Sequence, residues 1–227
     1  MTLLELRQVR KGRDGRCVVW NASADLADGI HLLEGSNGVG KTTLLEVICG
    51  LENPTSGGVF LNGCSVHSRK YRGKHGVVMI PATAKFYDGA SVDFAIRLYL
   101  SLRGVAIPRD IFETFDPFSL RGYAEVPFGD LSLGWKKRLM LHMAFASDPA
   151  VLVLDEPTVG LDVDGIGCLA DLMLRRERAG ITVITCHEPS VLKRVPMSQY
   201  VLEAGMRGSV LLSGAKNAGD AHSSQAS

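Results

Sequence analysis

"GSNGVGKTT", Gly35–Thr43, is the stretch on which the reading of this chain turns. It matches G-x-x-x-x-G-K-[ST], with an additional glycine at position 38. Before it, "GIHLLE" reads as a short apolar strand. After it, "KTTLLEVICGL" reads as a helix with Leu44, Leu45, Val47 and Ile48 in the core. A strand, a glycine-rich turn and a helix N-terminus together bind anions, because backbone N–H groups converge on one point. Glycines let the main chain curl around phosphates without Cβ clashes. Ser36, Asn37, Gly38, Val39 and Gly40 form the cradle in this reading. Lys41 would reach the β- and γ-phosphates of a nucleoside triphosphate. Thr42 would ligate Mg²⁺ through its hydroxyl, and Thr43 would add a phosphate contact.

Working outward, "VLVLDEPTVGLD", Val151–Asp162, supplies the matching acids. Its unbroken apolar run suits a central parallel strand covered on both faces. Such a strand delivers Asp155 and Glu156 to the carboxyl edge of a sheet, where open α/β folds bind ligands. Asp155 suits Mg²⁺ coordination, and Glu156 suits activation of a water for attack on the γ-phosphorus. "ITVITCH" repeats the logic and ends at His187, whose imidazole can hydrogen-bond a γ-phosphate oxygen. Between these motifs lies "LSLGW", Leu131–Trp135, where Ser132 reads as the N-cap of a helix over about 132–146. The basic run Lys136, Lys137, Arg138 reads as a solvated helix face.

The remaining chain fills in an α/β pattern. "LLELRQV" and "RCVVWNASADL" make the N-terminal region β-rich, and "GVFLNG" and "GVVMIP" are short strands. Residues 91–103 form a helix capped by Ser91, and 105–130 reads as short helices broken by Pro108, Pro117 and Pro127. "YVLEAG" and "SVLLSG" close the pattern before a small, polar tail. Net charge is +1 over 227 residues, which leaves no electrostatic footprint for nucleic acid. The five cysteines form no CxxC, and the six histidines show no ligand spacing, so zinc is not expected. No run approaches the ~18–20 apolar residues that a membrane span needs, nor is a signal peptide evident. A membrane role would therefore come through a partner chain.

In this order the motifs resemble those of the ABC ATPase family: "GSNGVGKTT" as Walker A, "LSLGW" as the signature, "VLVLDEP" as Walker B, "VGLD" as the D-loop and "CH" as the switch histidine. The resemblance spans roughly residues 3–214. It implies an α/β fold: a P-loop NTPase core with a mixed sheet, an N-terminal antiparallel β subdomain and a helical insert over about 86–146. One such domain would occupy 1–214, with 215–227 a disordered tail. It further implies a head-to-tail homo- or heterodimer that sandwiches two ATP molecules with Mg²⁺. Ser132 and Gly134 of one subunit would then face the γ-phosphate held by the other, and Asp162 would communicate between the two sites. The helix N-terminus at Ser132 carries the partial positive charge such a contact needs.

The resemblance also implies a separate integral membrane permease, and a peripheral place on the inner, cytoplasmic face of the membrane. Phe86 and Tyr87 fall where the family receives a helix from the permease; both also fit an ordinary core. The short insert and the "SLG" wording are similar to bacterial export-type subunits.

Three positions depart from the family's pattern. Ala82 stands where a glutamine is usual, and it cannot ligate a metal. Gly12 or Arg13 stands where an aromatic usually stacks on adenine; Arg13 either stacks its guanidinium or is a solvated loop residue. Leu133 and Trp135 replace a glycine and a glutamine in the signature. Two alternatives stay open: a mainly ATP-binding, weakly hydrolysing partner in a heterodimer, and a non-transport ABC ATPase of the iron–sulfur assembly type. A phosphate-loop kinase leaves the signature and D-loop unexplained.

Overall fold

The computed structural model describes residues 1–68 and 76–216. The chain opens with β1 (Leu3–Arg13), β2 (Arg16–Ala27) and β3 (Gly29–Glu34), followed by helix α1 (Lys41–Ile48). Strands β4 (Ser56–Leu61), β5 (Cys64–Ser65) and β6 (Val77–Ile80) come next. Helices α2 (Val92–Leu102), α3 (Ile111–Thr114) and α4 (Leu133–Ala146) then succeed one another without an intervening strand. Strand β7 (Val151–Leu154), helix α5 (Val163–Arg176) and strands β8 (Ile181–Ile184), β9 (Ser198–Glu203) and β10 (Val210–Lys216) complete the described chain.

Two sheets result. The first is antiparallel, in the order β2-β1-β4-β5. The second has the order β10-β9-β3-β8-β7-β6; its five strands from β9 to β6 are parallel, and β10 adds antiparallel at the edge. This is the mixed α/β fold the motifs imply. Strand β10 runs to Lys216, two residues past the domain end expected at 214, because the free edge of β9 pairs with any backbone. The polar tail expected from 215 otherwise lies outside the described residues.

The parallel sheet separates two apolar cores, and the period-2 alternation of its strands feeds both. In β7, Val151 and Val153 face the core shared with α1 and the antiparallel sheet. Leu152 and Leu154 face the opposite core, against α2, α4 and α5. All four are fully buried. At about 1.5–3 kcal/mol per buried aliphatic side chain, β7 alone anchors both layers. The helical stretch is not separate from the sheet: Val92, Ile96, Phe118, Leu139 and Met143 share one cluster with Leu152 and Leu154.

Side-chain caps set the helix starts. Ser91 Oγ accepts from Phe94 N at 3.3 Å for α2, and Asp162 Oδ1 from Gly165 N at 2.8 Å for α5. Ser132 Oγ accepts from Trp135 N at 3.4 Å for α4, as its sequence position suggests. The basic run after it is not a solvated face. Lys137 is fully buried, and the Arg138 side chain is 13% exposed. Helix α4 is packed on the sheet-edge core and against α5, so Lys137 and Arg138 face protein, while Ser132 and Leu133 at its start stay exposed.

Candidate functional site

The loop after β3 is shaped by contacts that forbid side chains. At Gly35 (φ +149°) a Cβ would lie 2.5 Å from the Leu202 carbonyl oxygen. At Gly40 (φ +108°), the N-cap of α1, it would lie 2.8 Å from Val18 Cγ1. Buried Ser209 Oγ donates to the Val39 carbonyl at 2.6 Å and pins the loop from behind. Lys41 Nζ donates to the carbonyls of Gly35 (2.6 Å) and Ser36 (3.2 Å). Ser36 and Val39 do not border the cavity above the loop; their carbonyls accept from Lys41 and Ser209, and the Val39 side chain is buried.

A cavity of about 280 Å³ opens over this loop. Asn37, Gly38, Gly40, Lys41, Thr42 and Thr43 border one side. Asp155, Glu156 and His187 border another, and Val18 and Ala82 complete the wall. The two acids sit just past β7, 4% and 9% exposed. Asp155 Oδ2 accepts from Thr42 Oγ1 at 2.9 Å, and its Oδ1 accepts from Thr185 Oγ1 at 2.7 Å. Glu156 has a left-handed backbone (φ 46°), a costly conformation for a non-glycine residue. Two hydrogen bonds hold it there: Glu156 N donates to Thr185 Oγ1 (2.9 Å), and His187 N donates to Glu156 Oε2 (2.9 Å). The His187 ring is 60% exposed, with Nε2 3.7 Å from Glu156 Oε1.

A threonine hydroxyl meeting a carboxylate oxygen is a hard oxygen donor set that fits Mg²⁺. Among the described residues no cluster of three or more His, Cys, Asp or Glu exists to cage a metal. Thr42 and Asp155 would hold such an ion, and Mg²⁺ is one that usually keeps water and phosphate oxygens in its shell.

Ser132, Gly134 and Asp162 do not border this cavity. They gather in a second cluster where the start of α4 meets the start of α5. Arg138 Nη2 pairs with Asp162 Oδ1 at 2.5 Å. The Gly165 amide and the Arg138 guanidinium hold the Asp162 carboxyl below the usual carboxylate range. A Cβ on Gly134 would lie 2.6 Å from the Gly160 carbonyl oxygen, so this glycine lets the two segments touch. Leu133 covers Gly160 and is 55% exposed; Val159 and Val163 beside it are 47% and 85% exposed. Trp135 stacks on Tyr123 at 3.9 Å between ring centroids, with the Arg138 guanidinium 4.6 Å from its own ring centre.

Several participants escape sequence reading. Thr185 bridges both acids, and only its place one strand-end away in "ITC" hinted at it. Val18 comes from β2 and has no motif. Lys137 Nζ donates to the carbonyls of Ala82 (2.8 Å) and Pro81 (3.1 Å). Burial pushes its amine down to about 8, against the pull of Asp155 and Glu156. Arg13 does not stack in this cavity: its guanidinium pairs with Glu46 (3.4 Å) and Glu52 (3.6 Å). Phe86 and Tyr87 part company, Phe86 packing on Phe128 in the core and Tyr87 being 75% exposed.

Comparison with known proteins places this geometry. Residues 21–159 match the sequence model of the ABC transporter family. The chain is 30% identical over 195 residues to the cytochrome c biogenesis ATP-binding export protein CcmA of Pseudomonas fluorescens, covering 85% of this chain and 92% of that protein. It is 31% identical over 213 residues to the Nod factor export ATP-binding protein I of Burkholderia pseudomallei, covering 90% and 69% respectively. A solved ATP-binding subunit of an ABC transporter superposes with a TM-score of 0.79 at 25% identity, over 88% of this chain and 85% of that one. A putative ABC transporter ATP-binding protein from Pyrococcus furiosus gives 0.70 at 25% identity, over 81% and 90%.

Proposed function

This chain belongs to the ABC transporter family, and on that premise we propose that it is an ATP-binding and ATP-hydrolysing subunit that powers a separate membrane permease through ATP-driven dimerisation. One observation carries the reading: a single cavity gathers the glycine loop, Lys41, Thr42, Asp155, Glu156 and His187. The loop amides and the N-terminus of α1 receive the phosphates. Lys41 exchanges its two loop carbonyls for β- and γ-phosphate oxygens. Thr42 and Asp155 are the residues that would hold Mg²⁺, which supplies charge neutralisation on the phosphates when bound. Glu156 orients a water and takes its proton as it attacks the γ-phosphorus. Thr185 fixes the Glu156 backbone and the His187 amide its carboxylate for that task, and the exposed imidazole is free to meet the γ-phosphate. Val18 offers an apolar wall beside the loop, while Arg13 is held by its two glutamates.

The second cluster serves the partner's nucleotide. Ser132 and Gly134 open a helix N-terminus onto the surface, and exposed Leu133, Val159 and Val163 form an apolar border suited to burial in a dimer. Asp162, locked to Arg138, ties that surface to α4. No helix among the described residues is long and apolar enough to cross a membrane. In this reading the permease is a separate chain, and this subunit works on the cytoplasmic face. Tyr87 and the exposed stripe Phe94, Leu98 and Leu102 on α2 form the face that receives it. The names of the two bacterial relatives favour export as the direction.

The test is purification from detergent extracts of the native source, followed by ATPase assay of the complex in liposomes. An integral membrane partner that raises the ATPase rate is expected. Recovery with soluble partners alone would refute the transport reading.

A further inference from the structure

We propose that Lys137 is a positioning residue for the phosphate site: its buried ammonium ties the Pro81–Ala82 segment to the signature helix and supplies, from α4, a link that Ala82 cannot make. The inference rests on the hydrolytic reading above and deepens it.

Pairing of β6 with β7 ends where Asp155 N donates to the Ile80 carbonyl at 2.9 Å. The next residue is a proline, which has no N–H and cannot extend the ladder. The carbonyls of Pro81 and Ala82 still need donors. Lys137 Nζ supplies both, at 3.1 and 2.8 Å. Ala82 borders the cavity. Its methyl offers no donor or acceptor, so the polar hold on this wall comes from the backbone. Among the described residues Lys137 forms no ion pair within 4.0 Å, although it is fully buried. Its neighbours in sequence are anchored elsewhere: Lys136 Nζ donates to the Gly129 carbonyl (3.0 Å), and Arg138 pairs with Asp162. A buried ammonium without a carboxylate partner is costly, and a methyl-ended chain would avoid that cost. What the ammonium uniquely provides here is two directed hydrogen bonds on the wall of the site. The first turns of α4 thus hold both the D-loop, through Arg138, and the wall at Ala82, through Lys137. Movement of α4 relative to the sheet shifts that wall against the nucleotide.

The experiment compares wild type, Lys137→Met, Lys137→Gln and Lys137→Arg in the full chain. Amide hydrogen exchange is followed without nucleotide, and kcat and KM are measured with MgATP. For Lys137→Met we expect exchange at residues 82–86 to quicken by about tenfold with α1 unchanged. We expect kcat to fall by about tenfold, with KM moving by less than about threefold. Lys137→Arg should recover at least about half of kcat, since it keeps a charged donor. If Lys137→Met does not fold, Lys137→Gln, with a shorter, neutral NH2 donor group, should fall between Met and wild type in both readouts. Wild-type kcat with unchanged exchange at 82–86 would overturn the proposal. So would a faster exchange spread evenly over the whole chain with kcat and KM changing in step, which marks Lys137 as a stabilising residue only. Glu156→Gln runs alongside. If wild type is no faster than it, the hydrolytic reading fails, while the exchange at 82–86 still decides whether Lys137 anchors the wall.

Discussion

Single residues carry the chemistry here, and the least conspicuous of them is Thr185. Its hydroxyl donates to Asp155 and accepts from the Glu156 amide, so one group positions the acid proposed to hold the metal and the backbone of the acid proposed to activate water. Thr185→Val keeps the shape and removes both bonds. We predict a loss of about 1–3 kcal/mol in transition-state stabilisation, read as about a five- to 150-fold lower kcat in steady-state assay. Thr185→Ser should retain most of the rate. Gly134 makes a second case. Gly134→Ala would push a methyl into the Gly160 carbonyl, 2.6 Å away, and separate the signature from the D-loop. ATP-dependent dimerisation, measured by light scattering, should weaken, while ATP binding by the monomer stays within about twofold because the phosphate loop is remote. Lys41, Thr42, Asp155 and Glu156, which border one cavity, stand in motifs whose spacing at strand ends could be read from the sequence. Thr185, Val18 and Lys137 were not, because each acts across a tertiary contact that spacing does not encode. Lys137 was misread outright: three consecutive basic residues look solvated until the sheet edge is placed against their helix.

At the level of elements, α4 is where sequence and structure diverge most. Its apolar pattern and Ser132 cap announce a helix correctly, but two polar residues on it are buried. His142 lies between Phe112 and Phe115, with ring centroids 6.3 and 5.1 Å away, and neither nitrogen has a partner among the described residues. Burial lowers its pKa to about 4, with Asp116 pulling the other way. The unfolded chain then binds the proton more tightly, near 6.5. Between about 6.5 and 4 the unfolded state holds more protons, so acidification costs stability. The full effect is present above the unfolded value and amounts to about 3 kcal/mol lost by pH 4. In urea titrations from pH 7 to 4, His142→Phe should flatten that slope; an unchanged slope would place the acid sensitivity elsewhere. Strands β7 and β8 were the most legible elements, since the short β-branched and apolar runs VLVL and ITVI, followed by Asp155 and Thr185, leave few options in an α/β chain. The 3₁₀ turn at Arg121–Tyr123 fits the short helices expected over 105–130, but its contact with Trp135 on another element was not legible.

The whole molecule joins two cores across one mostly parallel sheet, with the glycine loop, Asp155 and Glu156 around one cavity and Ser132, Gly134 and Asp162 outside it. The two groups are separate within one chain, which is the geometry a head-to-tail dimer requires. Ser132→Arg should therefore leave nucleotide binding by the monomer unchanged and abolish ATP-dependent dimerisation, as seen by size-exclusion chromatography. Dimerisation that survives the change would reduce Ser132 to a helix cap. Everything rests on hydrolysis at Glu156, so the most direct test is phosphate release with the membrane partner present, wild type against Glu156→Gln. The account predicts at least about a hundredfold slower release from Glu156→Gln, with ATP still bound. Equal rates would contradict it, and leave a subunit that binds ATP without cleaving it.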